Sequence, residues 1–127
     1  MIDWDALIAE AREASRRAYA PYSHYKVGAA VLCEDGRIFT GCNVENASYG
    51  LTMCAERTAV FHARVKGMTS IRAVAVYAPQ MPPPLPCGAC RQVIAEHGPG
   101  CDIVVVDADD NVQHFTIRDL LPHSFSL

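Results

Sequence analysis

The chain has 127 residues, of which 50% are hydrophobic and 20% are charged, and its formal net charge is −3. This composition excludes a disordered segment, a collagen-like repeat and a coiled-coil rod. The length predicts one domain over residues 1–127, large enough to bury a substantial hydrophobic core. The weak acidic bias argues against a nucleic-acid partner, because binding to a phosphate backbone requires a basic face.

Hydrophobic periodicity and turn residues predict elements in the order α β β α β α β β α. The Asp35-Gly36 pair is typical of a hairpin turn, and Thr52 is a plausible N-cap of the second helix. The predicted elements are, in chain order, a helix over 3–19, strands over 26–33 and 38–43, a helix over 53–66, a strand over 71–78, a helix over 88–97, strands over 102–107 and 112–115, and a short helix between Thr116 and Pro122.

Helices interspersed with apolar strands indicate an α/β fold, which we predict to be a three-layer sandwich around one mixed five-stranded sheet. The connection over residues 108–111 is too short for a crossover helix. The last two strands are therefore predicted to be antiparallel.

Neither a targeting signal nor a membrane segment is expected. The start of the chain carries acidic side chains and lacks the apolar run of a secretory signal. No stretch approaches the roughly 18 apolar residues that a membrane-spanning helix needs. We therefore predict a cytoplasmic protein without a membrane partner. In that compartment cysteines stay reduced, so a cluster of them indicates metal or redox chemistry rather than disulfides.

Two short segments place cysteines at the predicted starts of helices. Residues 87–90 (CGAC) follow a proline-rich loop, and residues 54–56 (CAE) lie where another loop becomes a helix. The positive end of a helix favours thiolate, which is the form that binds metal. Three converging thiolates would form a zinc site with one open position, the pattern of a catalytic site. Glu56 is the nearest carboxylate for proton transfer, although residues two apart on an ideal helix point to opposite sides.

Other interpretations of the cysteines are open at this stage. The CGAC segment is also compatible with a redox pair, but that interpretation leaves Cys54 and Glu56 without a role. A structural zinc module predicts a fourth protein ligand, and a purely apolar role predicts buried side chains without metal. The remaining cysteines lie in or beside apolar strands and are expected to be core or near-core thiols; they are Cys33, Cys42 and Cys101.

Four longer segments around these motifs carry a wider pattern. They are residues 20–31 (APYSHYKVGAAV), 41–61 (GCNVENASYGLTMCAERTAVF), 86–93 (PCGACRQV) and 120–125 (LLPHSF). Together they resemble the small homotetrameric zinc-dependent cytidine deaminases, whose signature combines Cys-x-Glu with Pro-Cys-x-x-Cys. The resemblance implies a cytidine deaminase-like fold, one Zn²⁺ per chain, and a homotetramer with active sites at subunit interfaces.

The resemblance also implies roles for individual residues. Glu56 matches the catalytic proton shuttle, and Arg57 matches an arginine that hydrogen-bonds the zinc thiolates. The implied zinc ligands are Cys54, Cys87 and Cys90. The implied substrate contacts are Asn43 and Glu45 at the ribose, Tyr25 (a position usually occupied by Phe) at the base, Ala55, and Phe125, which would reach into a neighbouring subunit.

The implied activity is hydrolytic deamination of free cytidine and 2′-deoxycytidine to uridine and 2′-deoxyuridine plus ammonia, in pyrimidine salvage. In this mechanism zinc activates a hydroxide while Glu56 shuttles protons. The alternative is a deaminase of another cytosine-bearing nucleoside such as blasticidin S. Without the resemblance, Asn43 and Glu45 would be interpreted as turn residues, Tyr25 as a core side chain and Phe125 as a C-terminal anchor.

Overall fold

A computed structural model describes residues 1–127 and shows one mixed five-stranded sheet. The strands are β1 (Gly28–Cys33), β2 (Ile38–Cys42), β3 (Ile71–Tyr77), β4 (Asp102–Val106) and β5 (Val112–Thr116). Their spatial order is β2-β1-β3-β4-β5, and only β3 and β4 are parallel. The mixed sheet and the antiparallel pairing of the last two strands, both predicted from the sequence, are therefore confirmed.

The helices cover both faces of this sheet. They are α1 (Trp4–Ser15), α2 (Ala55–Val65), α3 (Gly88–His97) and α4 (Ile117–Leu120), with a single 3₁₀ turn over Tyr49–Leu51 that the sequence analysis did not predict. Along β4, Val104 belongs to the same buried cluster as Leu7 and Ala11 of α1, while Val105 belongs to the cluster that contains Ile94 of α3, on the opposite face. This alternation follows from the two-residue period of a strand and confirms the three-layer arrangement. None of the helices has the length and hydrophobicity needed to span a membrane.

The first helix ends earlier than its periodicity predicts. The prediction extended it to residue 19, but α1 ends at Ser15. The amide of Tyr19 donates to the carbonyl of Asn43 at 3.0 Å, and the amide of Glu45 donates to the carbonyl of Tyr19 at 2.9 Å. These long-range hydrogen bonds take Tyr19 out of the helix, because its backbone groups cannot also bond within a helical turn.

The second helix begins later than predicted. Its N-cap is Cys54 rather than Thr52, and Cys54 is extended. The reason is a second bridge, in which Val44 and Met53 exchange both backbone hydrogen bonds at 2.9 Å. Val44 is thus paired with Tyr19 on one side and with Met53 on the other. This small bridged unit places the residues flanking Val44 beside the start of α2.

Close packing fixes α2 against the sheet edge. A Cβ atom at Gly41 of β2 would lie 2.3 Å from the amide nitrogen of Ala59, so the helix backbone rests directly on the strand. Ala55, Ala59 and Ala63 of α2 are completely buried at this contact face. Small side chains are needed here because protein interiors leave no space for larger ones. The N-terminus of α2 is consequently held at a defined position relative to β2.

The six cysteines are all free thiols and fall into two groups. Cys33 and Cys101 are buried in the core, as predicted, whereas Cys42 is partly exposed and lies at the core margin. Burial raises the pKa of the Cys101 thiol to about 12, which keeps it protonated and inert. The other three cysteines lie together at the N-termini of α2 and α3.

Candidate active site

Three sulfur atoms converge where α2 and α3 begin. The Sγ atoms of Cys54, Cys87 and Cys90 all lie within 4.8 Å of one another, and those of Cys54 and Cys87 are 3.7 Å apart. Tetrahedral zinc with Zn–S bonds of about 2.3 Å separates its sulfur ligands by about 3.8 Å. No fourth His, Cys, Asp or Glu side chain joins the cluster. The donor set therefore fits zinc with one open position, and it contradicts a structural module with four protein ligands.

The helix ends explain how two separate segments supply this cluster. Cys54 and Cys87 are the N-caps of α2 and α3, and Cys90 lies in the first turn of α3. Both helices therefore direct their positive ends at the sulfurs, which favours thiolate. Cys90 is completely buried, whereas Cys87 is exposed. The cluster is consequently closed on the protein side and accessible on the other.

Hydrogen bonds prepare one of these sulfurs for metal. A thiol hydrogen bond from Cys90, together with the Arg57 guanidinium, lowers the pKa of Cys54 to about 5. Arg57 Nη2 donates to Cys54 Sγ at 3.5 Å. The same thiol hydrogen bond, together with burial, raises the pKa of Cys90. Zinc binds thiolates, so its binding releases any thiol protons that the metal-free cluster still carries.

A cavity of about 270 Å³ opens beside the sulfurs. It brings together seven of the residues singled out in the sequence, which are Tyr25, Asn43, Glu45, Cys54, Ala55, Glu56 and Cys87. Ser23, Val27, Thr52, Pro84 and Leu85 complete the lining, and none of them was predicted from the sequence to belong to the site. Ser23 and Val27 lie within segment 20–31 and Thr52 within segment 41–61, both of which resemble the deaminases, and that resemblance is the signal that would have found them. Pro84 and Leu85 lie outside the four segments and have no chemical signature of their own.

Glu56 faces the same cavity as Cys54, which an ideal helix would not allow. The conflict disappears because Cys54 is an extended cap and only Glu56 lies within the helix. The Glu56 side chain is 4% exposed, and burial, supported by the nearby Cys54 charge, raises its pKa to about 7. A carboxyl group that titrates near neutrality is suited to accept and return a proton.

Asn43 and Glu45 also line the cavity, and hydrogen bonds hold both side chains in place. The Asn43 amide donates to the Tyr25 carbonyl at 2.7 Å and accepts from the Val27 amide at 2.9 Å. These bonds leave one N–H and one lone pair of Asn43 for a ligand. The Glu45 carboxylate accepts from the Tyr22 and Ser23 amides and from the Ser23 hydroxyl. These donors, the Ser23 hydroxyl first, lower the pKa of Glu45, so it is ionised.

The two aromatic residues differ in their relation to the cavity. Tyr25 lines it, and the hydroxyl that distinguishes it from phenylalanine donates to the Pro82 carbonyl. Phe125 is 69% exposed and does not line the cavity of its own chain. Its backbone amide donates a hydrogen bond to Gln92 Oε1, and its carbonyl accepts one from Gln92 Nε2. A contact of Phe125 with a substrate therefore requires the cavity of a neighbouring chain.

Comparison with known proteins identifies the family to which this site belongs. Residues 1–106 match the family model described as the cytidine and deoxycytidylate deaminase zinc-binding region. This chain belongs to the cytidine and deoxycytidylate deaminase family. Membership confirms the resemblance read from the four sequence segments. Together with the three converging sulfurs, it also confirms the prediction of a zinc enzyme.

Similarity to individual deaminases extends over nearly the whole chain. The cytidine deaminase of Sporosarcina psychrophila is 48% identical over 126 residues, which cover 98% of this chain and 93% of that protein. The crystal structure of cytidine deaminase from Burkholderia pseudomallei is 48% identical with a TM-score of 0.92, covering 98% of this chain and 100% of the other. For cytidine deaminase from Mycobacterium tuberculosis the identity is 42% and the TM-score 0.85, with both chains fully covered.

Proposed function

We propose that this chain, as one domain over residues 1–127, deaminates free cytidine and 2′-deoxycytidine to uridine and 2′-deoxyuridine with release of ammonia. Cys54, Cys87 and Cys90 would hold the Zn²⁺. The observation that carries the proposal is the buried Glu56 carboxyl in the wall of the cavity that two of the three sulfurs also line. The similar proteins described above are cytidine deaminases, which supports the same substrate.

The chemistry divides between the metal and the protein. A zinc ion held by Cys54, Cys87 and Cys90 would supply a bound water of lowered pKa, able to act as a nucleophile near neutral pH. Glu56 accepts a proton from the attacking water and delivers it to N3 of cytosine while the water oxygen adds to C4. Glu56 then takes the second proton from the hydroxyl now bonded to C4 and passes it to the amino group, so the C–N bond breaks, ammonia leaves and the C4 oxygen becomes the carbonyl of uridine. Arg57 offsets the charge of three thiolates and one zinc, which sum to −1, by donating to Cys54 Sγ.

The charges around the cavity favour a free nucleoside over a nucleotide. The cavity lining contains Glu45 and Glu56 but no lysine or arginine. An adjoining pocket, lined by Tyr22, Ser23, Glu45, Tyr49 and Thr52, is likewise without a cation. Recognition of phosphate relies on arginine, lysine or clustered backbone amides. A 5′-phosphate would meet the Glu45 carboxylate instead, which disfavours deoxycytidylate and single-stranded DNA.

A substrate panel tests this proposal. Ammonia release is measured with cytidine, 2′-deoxycytidine, deoxycytidylate, cytosine, single-stranded DNA and blasticidin S. We expect turnover of both nucleosides, and values of kcat/KM at least about 100-fold lower for the other compounds, because they lack the sugar contacts or add an unpaired charge. Preferred turnover of deoxycytidylate or DNA would contradict the proposal, and turnover of blasticidin S alone would establish the alternative substrate.

We also propose that the chain forms a homotetramer in which Phe125 completes the active site of a neighbouring subunit. The enzyme would act in the cytoplasm and serve pyrimidine salvage. Large apolar side chains are exposed close to the cavity, including Tyr49 at 75% and Leu51 at 68%. Light scattering is expected to give a molar mass four times that of one chain.

Phe125→Ala is expected to raise KM for cytidine about tenfold, because an aromatic contact is lost, whereas Leu127→Ala at the exposed end is expected to leave KM unchanged. A fully active monomer would contradict this assembly.

A further inference from the structure

The hydroxyl of Ser23 lies between two groups that line the cavity. It donates to Glu45 Oε2, and it accepts a hydrogen bond from the Tyr25 amide at 3.0 Å. The amide of Ser23 also donates to Glu45 Oε1 at 3.2 Å. One short side chain thus contacts both the sugar side and the base side of the proposed substrate site. Neither the mechanism nor the substrate contacts described above assign it a role.

These hydrogen bonds restrict what the Glu45 carboxylate is able to bind. It accepts from the Tyr22 amide at 3.0 Å, from the Ser23 amide and from the Ser23 hydroxyl. A carboxylate has about four acceptor positions, so these three donors leave about one of them for a ligand. The three donors fix the direction of this remaining lone pair, which can accept a hydrogen bond but cannot donate one. The carboxylate is therefore prepared for a ligand that brings its own hydroxyl donor.

The same serine joins this carboxylate to the aromatic wall. The Tyr25 amide bonds to Ser23, and the Tyr25 hydroxyl bonds to the Pro82 carbonyl in the loop that leads to the sulfur cluster. The backbone amide of the neighbouring Lys26 donates a hydrogen bond to Gln80 Oε1 at 2.9 Å. The segment that carries Ser23 is therefore held at several points, which gives the serine a fixed direction. A positioned hydroxyl orients its partner at little entropic cost.

We propose that Ser23 is a positioning residue that gives the site its selectivity for nucleosides with free sugar hydroxyls, by orienting the Glu45 carboxylate towards them. The inference rests on the proposed function, because it requires a nucleoside in the cavity. It goes beyond the proposed function because it assigns sugar selectivity to Ser23, a residue that does not contact the reacting atoms.

The test compares two substrates that differ only in the sugar hydroxyls. Values of kcat/KM are measured for cytidine and for 2′,3′-dideoxycytidine, the second with enzyme in large excess. Ser23→Ala is expected to lower kcat/KM for cytidine about tenfold, mainly through KM, since a hydrogen bond to a charged group is lost. For dideoxycytidine the change is expected to stay within about twofold. A general structural defect would affect both substrates equally.

Two further variants locate the effect. Ser48→Ala is the matched control, because the Ser48 side chain makes no capping hydrogen bond, and it is expected to behave as wild type for both nucleosides. In a Glu45→Ala background, Ser23→Ala is expected to cost less than about twofold with cytidine, because its partner is already absent. Zinc content and melting temperature are measured for each variant, and Ser23→Ala is expected to keep its zinc and to lower the melting temperature by only several degrees, because two exposed hydrogen bonds are lost.

The outcomes separate this inference from the proposed function. A wild-type chain that does not deaminate cytidine would refute the proposed function itself. If the wild type is active, an equal loss on both nucleosides, no loss on either, or an undiminished loss in the Glu45→Ala background would each overturn the role of Ser23.

Discussion

Replacement of Glu56 by glutamine is expected to lower kcat for cytidine by about 10³-fold or more, while the zinc content remains at one ion per chain. The expected size follows from the contribution of about 10²–10⁴-fold that a positioned general acid–base group makes. Glutamine has nearly the same shape as glutamate, but its amide is unable to accept a proton from water and return it. Because Glu56 does not join the sulfur cluster, the metal site keeps all its ligands.

The control for this variant is Glu96→Gln, which makes the same chemical change at an exposed position of α3. It is expected to retain wild-type activity, zinc content and melting temperature. Ammonia release gives the activity, and elemental analysis gives the zinc content. Activity of Glu56→Gln within about tenfold of wild type would remove Glu56 from the proton-transfer role. Loss of zinc from this variant would instead show that the carboxylate supports the metal.

Replacement of Cys90 by alanine is expected to abolish both zinc binding and deamination. Four-ligand zinc sites bind with about 10–16 kcal/mol, so one ligand contributes roughly 2.5–4 kcal/mol, or about two to three orders of magnitude in affinity. Cys90 is the most buried of the three sulfur-bearing residues, and α3 holds it against the core. No neighbouring donor is available to replace it, because the cluster contains three potential ligands only.

Cys101→Ala separates loss of the metal from loss of packing. Cys101 is as deeply buried as Cys90, but it does not belong to the cluster, so both variants lose one sulfur from the interior. We expect Cys101→Ala to keep its zinc and its kcat. A chelator is expected to lower the melting temperature of the wild type and of Cys101→Ala, and to leave that of Cys90→Ala unchanged. Zinc bound stoichiometrically by Cys90→Ala would refute the assignment of this ligand.

Local sequence was sufficient where neighbouring residues decide the structure. The prediction of a helix over residues 88–97 agrees with α3, because the proline-rich loop before it is unable to continue a helix and Gly98 follows it. Thr116, which bounds the last predicted helix, caps α4 through reciprocal hydrogen bonds with Asp119. Gly36 in the hairpin has a φ of +91°, which its place after Asp35 also predicted.

Long-range pairing explains the two helix ends that were wrong. Apolar periodicity continues past Ser15, and Thr52 is a good capping residue, so local rules favoured a longer α1 and an earlier α2. Both ends are decided by Val44, which bridges to Tyr19 and to Met53. Sequence patterns do not report such contacts, because the partners are far apart along the chain. The correction matters for function, since the late start of α2 allows Cys54 and Glu56 to face one cavity.

The amino-acid sequence alone determined the α/β architecture, the family and the identity of the chemical groups, because each of these depends on residue types and their spacing. Only the tertiary structure decided that the two cysteine segments meet, that the Tyr25 hydroxyl is satisfied by Pro82 and that Ser23 connects Glu45 to the aromatic wall. These contacts arise when packing of α2 and α3 on the sheet brings distant loops together. Their geometry is therefore a property of the assembled core and not of any local segment.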